Sequence, residues 1–264
     1  MNILIARCAP VVLCAALAAC GDMDPSSSIP TDRMYARFVA ETRADGTSEV
    51  RADFFEHEDW FVYEGIYLDG GDTLEASTHE ARLLFTGGGN HFVGELVTGI
   101  VADTRFQFDL QRPNHVDAPG SWGTLPEPMD LVMPEPEQEY SIADDELTLL
   151  WTYGGTIDDM WVTVEADCLE PNAADDWYLD ESFTVDIPGD PGAFAMDLSD
   201  RFLHADQCRR YAATVTLYRA RAGTLDPAYK PKEEECEDSS TGDCAEKGSV
   251  SIRQVRSVPV TLIP

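Results

Sequence analysis

Short segments of alternating apolar and polar residues, cut by turn signals about every ten residues, run through most of this chain. Helical periodicity is hard to find. A period of two puts one face of each segment on a core and the other in water, so the chain predicts sandwiches or barrels. Strands are expected over 34–44, 49–56, 60–68, 73–77, 81–86, 91–98 and 104–112. An Asp45-Gly46 turn follows the first of these. The pair 81–86 and 91–98, joined by Gly87-Gly88-Gly89-Asn90, reads as the clearest hairpin.

The stretch LPEPMDLVMPEPEQEY, 125–140, holds Pro126, Pro128, Pro134 and Pro136 among acids. Proline removes ladder donors, so no central strand is expected there and a domain boundary falls in or near it. Beyond it, strands are expected over 146–153, 160–168, 182–187, 193–197, 211–222 and 250–263, with a short helical turn within 199–210. Alternation slips near Gln254, which suggests a bulge, and Pro259 suggests an edge strand. The fold class is therefore all-β: two tandem β-domains, 34–127 and 128–264, the second an immunoglobulin-like or fibronectin-III-like sandwich.

The first residues, MNILIARCAPVVLCAALAACGD, carry one basic side chain, Arg7, and then an apolar run from Cys8 to Ala19. That run is shorter than the ~20 residues that span a bilayer. It has the layout of an export signal. Leu17-Ala18-Ala19-Cys20 matches a lipobox, and the segment resembles the type II signal peptide of bacterial lipoproteins. The resemblance implies cleavage after residue 19, a thioether-linked diacylglycerol on Cys20 and palmitate on the new amine. Residues 20–33, rich in Asp, Ser and Pro, read as a lipidated, flexible tether. Gly21 after the cysteine favours the outer membrane, with the body on its periplasmic face or at the cell surface. Three short motifs, LTLLWTYGG (147–155), DPGAF (190–194) and QVRSV (254–258), resemble segments of proteobacterial lipoproteins without assigned activity.

The formal charge is −31, from 49 acids against 18 Lys and Arg, and the only lysines are Lys230, Lys232 and Lys247. Such a chain repels nucleic-acid phosphates, so nucleic acid is not a partner. A hydrophobic share of 44% is enough for packed cores. Cys8 and Cys14 leave with the signal, so Cys168, Cys208, Cys236 and Cys244 remain. An even number in an exported chain reads as two disulfides. Four cysteines allow three pairings, and Cys168–Cys208 with Cys236–Cys244 is favoured. No C-x-x-C spacing supports zinc.

No residue is assigned a catalytic role. G-x-S-x-G and S-x-x-K are absent, and His79-Glu80 is not continued into H-E-x-x-H. His57, His79, His91, His115 and His204 are scattered. With 49 acids, carboxylate pairs at glycosidase spacing arise by chance. Calcium is the candidate cofactor: Asp69, Asp72, Asp158, Asp159 and the loop 233–243 are rich in oxygen ligands, although none matches an EF-hand loop. Among the tryptophans, Trp60, Trp122 and Trp177 read as lying in or near loops and able to stack on sugars, and Trp151 and Trp161, on strand patterns, as core. The expected role is a lipid-anchored envelope module that binds another envelope protein or a glycan. The rivals are a carboxylate-dependent hydrolase and a calcium-dependent adhesion module.

Overall fold

The computed structural model describes residues 23–59, 62–86, 89, 91–152, 155, 157–172, 180–202, 205–229 and 248–264. Cys20, Cys236, Cys244, Trp60, Trp177, His204 and the loop 233–243 lie outside the described residues. The N-terminal strands are β1 (Asp24–Pro25), β2 (Tyr35–Thr42), β3 (Thr47–Asp59), β4 (Val62–Tyr67), β5 (Thr73–Ser77), β6 (Arg82–Thr86), β7 (His91–Val97), β8 (Arg105–Gln111) and β9 (Ala118–Thr124). The C-terminal strands are β10 (Leu131–Met133), β11 (Glu139–Ser141), β12 (Glu146–Trp151), β13 (Asp159–Cys168), β14 (Glu181–Ile187), β15 (Ala193–Asp197), β16 (Tyr211–Ala222) and β17 (Ser249–Ile263). The only helical pieces among the described residues are three 3-10 turns, one of them Ala205–Gln207 inside the expected helical stretch. The protein is all-β.

One sheet runs the length of the molecule in the order β1-β4-β3-β2-β17-β16-β13-β14, with β7 paired to β3 and β11 to β17. Two smaller sheets cover its inner face. β6-β5-β8-β9 lies over the N-terminal half and β10-β12-β15 over the C-terminal half. The result is two sandwiches welded through shared strands.

β17 makes the weld. Its first residues pair in parallel with β2, Ser249↔Arg37 to Gln254↔Thr42, and its last pair in parallel with β11. From Ser251 to Leu262 it pairs antiparallel with β16. Its inward residues divide accordingly. Val250 and Ile252 join the N-terminal core, with Phe38, Phe54, Phe106 and Phe108. Val258, Val260 and Leu262 join the C-terminal core, with Val162, Val164, Val215 and Leu217. Each fully buried aliphatic side chain contributes roughly 1.5–3 kcal/mol.

Gln254 and Arg256 sit between the two sets, so the expected bulge at Gln254 is not there: the register is unbroken. What changes is the chemistry, because these inward residues pass through the seam between the cores. Gln254 donates to the Pro126 carbonyl at 3.4 Å. Arg256 donates to the carbonyls of Thr42 and Val255. Arg219 on β16, fully buried, donates to the carbonyls of Glu127, Pro128 and Thr152 and pairs with Asp190 at 2.7 Å. Arg221 pairs with Asp158 and Asp103, both at 2.8 Å. The proline-rich connector is thus pinned to the seam by Arg219 and Gln254, and no central strand crosses it.

Two expectations are corrected. β6 and β7 do not form a hairpin: β6 pairs with β5 and β7 with β3, in opposite sheets. The chain crosses the sandwich between them, and Phe85 meets Phe92 across the core at 5.8 Å, edge to face. Residues 24–33 do not form a flexible tether. β1 pairs with β4, and Arg112, with no side-chain exposure, binds Asp72 at 2.9 Å and reaches Thr31, Met34 and the Ser26 carbonyl. Asp69 accepts from the Ser27 amide at 2.7 Å and from both serine hydroxyls of that turn.

Pro259 lies where β17 has no second strand beside it, so its missing N–H breaks no ladder. Gly46, at φ +81° in the β2–β3 turn, supplies the left-handed residue the Asp-Gly signal called for.

Candidate functional site

The outer face of the long sheet carries the most varied chemistry among the described residues. On β13, Met160, Val162 and Val164 point inward, so the alternation turns Trp161 outward. Trp161 is therefore not a core residue. It stacks on its cross-strand neighbour Tyr218 with ring centres 4.9 Å apart and planes within 9°. The Arg253 guanidinium lies 5.0 Å from its ring centre, a cation–π contact across the small Ala220. Arg253 is held at its other end by Glu41, at 2.9 Å. Glu41 also binds Arg51, and Arg51 binds Glu49 at 2.5 Å.

These charges steady one another. Burial pulls the Arg51 guanidinium down, but Glu49 and Glu41 outweigh it and its pKa is raised. Burial pushes Glu49 up, but Arg51 and Arg43 outweigh that and hold it below the ordinary carboxylate value. Burial, then Glu41 and Glu165, push the Tyr218 phenol up, so it stays a neutral donor.

Beside this ladder lies a depression of about 390 Å³. Its floor is Ala220, Ala222, Ser249 and Ser251, small residues of the two central strands. Arg37 and Val39 form one wall, and Trp161, Arg253 and Asp159 the other. On the far flank of Trp161 a second depression of about 480 Å³ is lined by Asp159, Asp186, Pro188 and the fully exposed Ile157. Trp161 and Asp159 line both depressions.

The other candidates fall elsewhere. Trp151 is buried, its indole N–H donating to Asp190 at 2.8 Å. Trp122 sits on β9 rather than in a loop, with Arg105 over its ring at 4.5 Å. Of the proposed calcium ligands, Asp69 caps the serine turn, Asp72 pairs with Arg112 and Asp158 with Arg221. Asp159 lines both depressions, and Asp158 lines the second while paired with Arg221. No group of three or more metal-ligating side chains converges among the described residues. His91 and Asp53 do form a pair, Nδ1 to Oδ1 at 2.5 Å, but on an open sheet surface rather than in a cleft. His115 is used structurally, against the Ser27 carbonyl, and His79 lies 3.3 Å from exposed Glu80. Cys168 and Cys208 are disulfide-bonded, tying the end of β13 to the loop before β16.

No protein-family model and no curated protein matches the chain. Solved structures do. The crystal structure of CBD12 from CALX1.2 is 13% identical, with a TM-score of 0.23, covering 88% of this chain and 100% of its own. The calcium binding domain CBD12 of CALX1.1 is 13% identical, with a TM-score of 0.24, over 87% and 99%. Likenesses at these scores carry no ligand over to this chain. No helix among the described residues is long and apolar enough to cross a membrane.

The groove was missed in the sequence although a signal existed. Once Val162 and Val164 are placed on one face, Trp161 must take the other. Arg37, Ser249 and Ser251 carry no signal alone, because they meet only through the parallel pairing of β2 with β17.

Proposed function

We propose that this protein is a lipid-anchored, non-catalytic envelope module that binds a linear glycan along the outer face of its long sheet. The observation that supports this is the pair of adjoining depressions on either side of Trp161. An extended sugar chain fits two consecutive subsites divided by an aromatic wall. Ser249, Ser251, Arg37 and Asp159 offer donors and acceptors of the kind that meet hydroxyl groups. Arg253 and Arg51 are matched by Glu41 and Glu49, so the ladder beside the groove is charge-balanced despite the chain's −31, which suits an uncharged ligand.

The test is calorimetry with the body lacking residues 1–20, against linear oligosaccharides of N-acetylglucosamine, glucose and mannose. One series is expected to bind. Trp161→Ala combined with Arg37→Ala is expected to weaken it about tenfold or more, a step of about 1.4 kcal/mol, while the melting temperature confirms folding. No binding across the panel contradicts the glycan reading. Binding abolished by chelator would move the reading to calcium-dependent adhesion through Asp159.

A further inference from the structure

We infer that the N-terminal end of the double sandwich is a membrane-apposed base and that the C-terminal sandwich points away from the bilayer. This rests on the lipid-anchor reading of Cys20 and adds to it a direction and a distance.

The direction comes from strand polarity. β3 runs from the seam, where Ser48 pairs with Thr42, to the far end at Asp59. β4 returns from there, and β1 lies parallel to β4, Asp24 beside Ile66 and Pro25 beside Tyr67. The chain therefore enters the fold travelling from the far end towards the seam. Cys20 precedes Asp24 by four residues. At ~3.3–3.6 Å per extended residue, four residues of backbone reach at most about 14 Å.

The docking of residues 26–34 keeps that reach short. Arg112, Asp69 and His115 hold the segment directly, and Asp72 fixes Arg112. The base so defined includes Asp24, Ser27, Gly70 and the exposed turn at Val116, whose carbonyl accepts from Thr31. The opposite pole is the turn at Asp144, beside Ser141, where β11 pairs with the last residue of β17. β17 has 15 residues, so at ~3.3 Å each it spans about 50 Å.

Charge opposes the flat alternative. A chain with a net charge of −31 is repelled by anionic headgroups. A four-residue leash lets it keep only one end at the surface.

The experiment uses the full lipidated protein in vesicles of phosphatidylethanolamine and phosphatidylglycerol containing a nitroxide-headgroup lipid. A fluorophore is placed at Val116 or at Asp144. The dye at Val116 is expected to lose most of its emission and the dye at Asp144 to keep essentially all of it. Inserting a long Gly/Ser linker after Asp22 is expected to restore emission at Val116. Equal quenching at both positions, or stronger quenching at Asp144, overturns the inference. Palmitate labelling and flotation of Cys20→Ser are read separately: a variant that floats and labels like wild type sinks the lipid-anchor reading itself.

Discussion

Arg219 and Asp190 meet at 2.7 Å with neither side chain exposed, and the same aspartate accepts the indole N–H of Trp151. This pair closes the seam from the C-terminal side. Breaking a buried pair leaves a charge stranded in a medium that cannot solvate it. Asp190→Ala is expected to cost about 3–5 kcal/mol in denaturant unfolding, whereas Asp190→Leu with Arg219→Met is expected to recover most of it. A loss under 1 kcal/mol for the single variant, roughly the value of an exposed pair, would show that the seam does not depend on it.

The shared strands make the two sandwiches one folding unit. β16 and β17 contribute to both halves of the long sheet, and Val250 and Val258 of one strand lie in different cores. Calorimetry is expected to give a single transition, with van't Hoff and calorimetric enthalpies in agreement. Phe38→Ala in one core and Leu217→Ala in the other are each expected to move that same transition, by about 3–5 and 2–5 kcal/mol. Two separated transitions, each sensitive to one variant, would contradict this.

The Cys168–Cys208 bond has a sequence separation of 40 residues. On loop entropy alone, removing it releases an unfolded chain worth about 4 kcal/mol. Cys168→Ala with Cys208→Ala is expected to fall by about 2–5 kcal/mol, measured by urea unfolding against the oxidised protein.

Acid should loosen the base at Asp69. The Ser27 amide is the largest influence and, with the Ser27 and Ser26 hydroxyls and the Arg112 charge, holds its carboxyl below the ordinary value against the opposing effect of burial. A depressed carboxylate stabilises the fold fully above its unfolded pKa, about 3.9, and loses that contribution as pH falls through the lower folded value. Hydrogen exchange of the Met34 amide, which donates to Thr31, is expected to gain in opening below that point. Asp69→Asn should show more opening at neutral pH and a flatter pH dependence.

Several strands were legible because alternation and turn residues coincide: 73–77, 193–197 and 211–222 match the expected bounds. β9 was not legible. Its sequence APGSWGT looks like a loop, and it is a strand because Gly120 and Gly123 let its backbone lie against Asp226 and Ile252 where a side chain would collide. The false hairpin at 81–98 has a similar cause. A glycine turn encodes reversal but not which sheet the next segment joins. At Gln254 and Arg256 the alternation is intact but polar, and only the third dimension shows that these positions fall between two cores. The site was half legible: Trp161 could be turned outward by counting from Val162, whereas Arg37 and Ser249 are brought together by a pairing between residues more than two hundred positions apart.

The most direct measurement is a titration of the tryptophan indole resonances with the oligosaccharide that binds. Trp161 is expected to shift progressively to saturation, while Trp151, locked on Asp190, and Trp122, under Arg105, stay in place. Binding that shifts Trp122 or Trp151 and leaves Trp161 unmoved would contradict a glycan groove on the outer face of the long sheet.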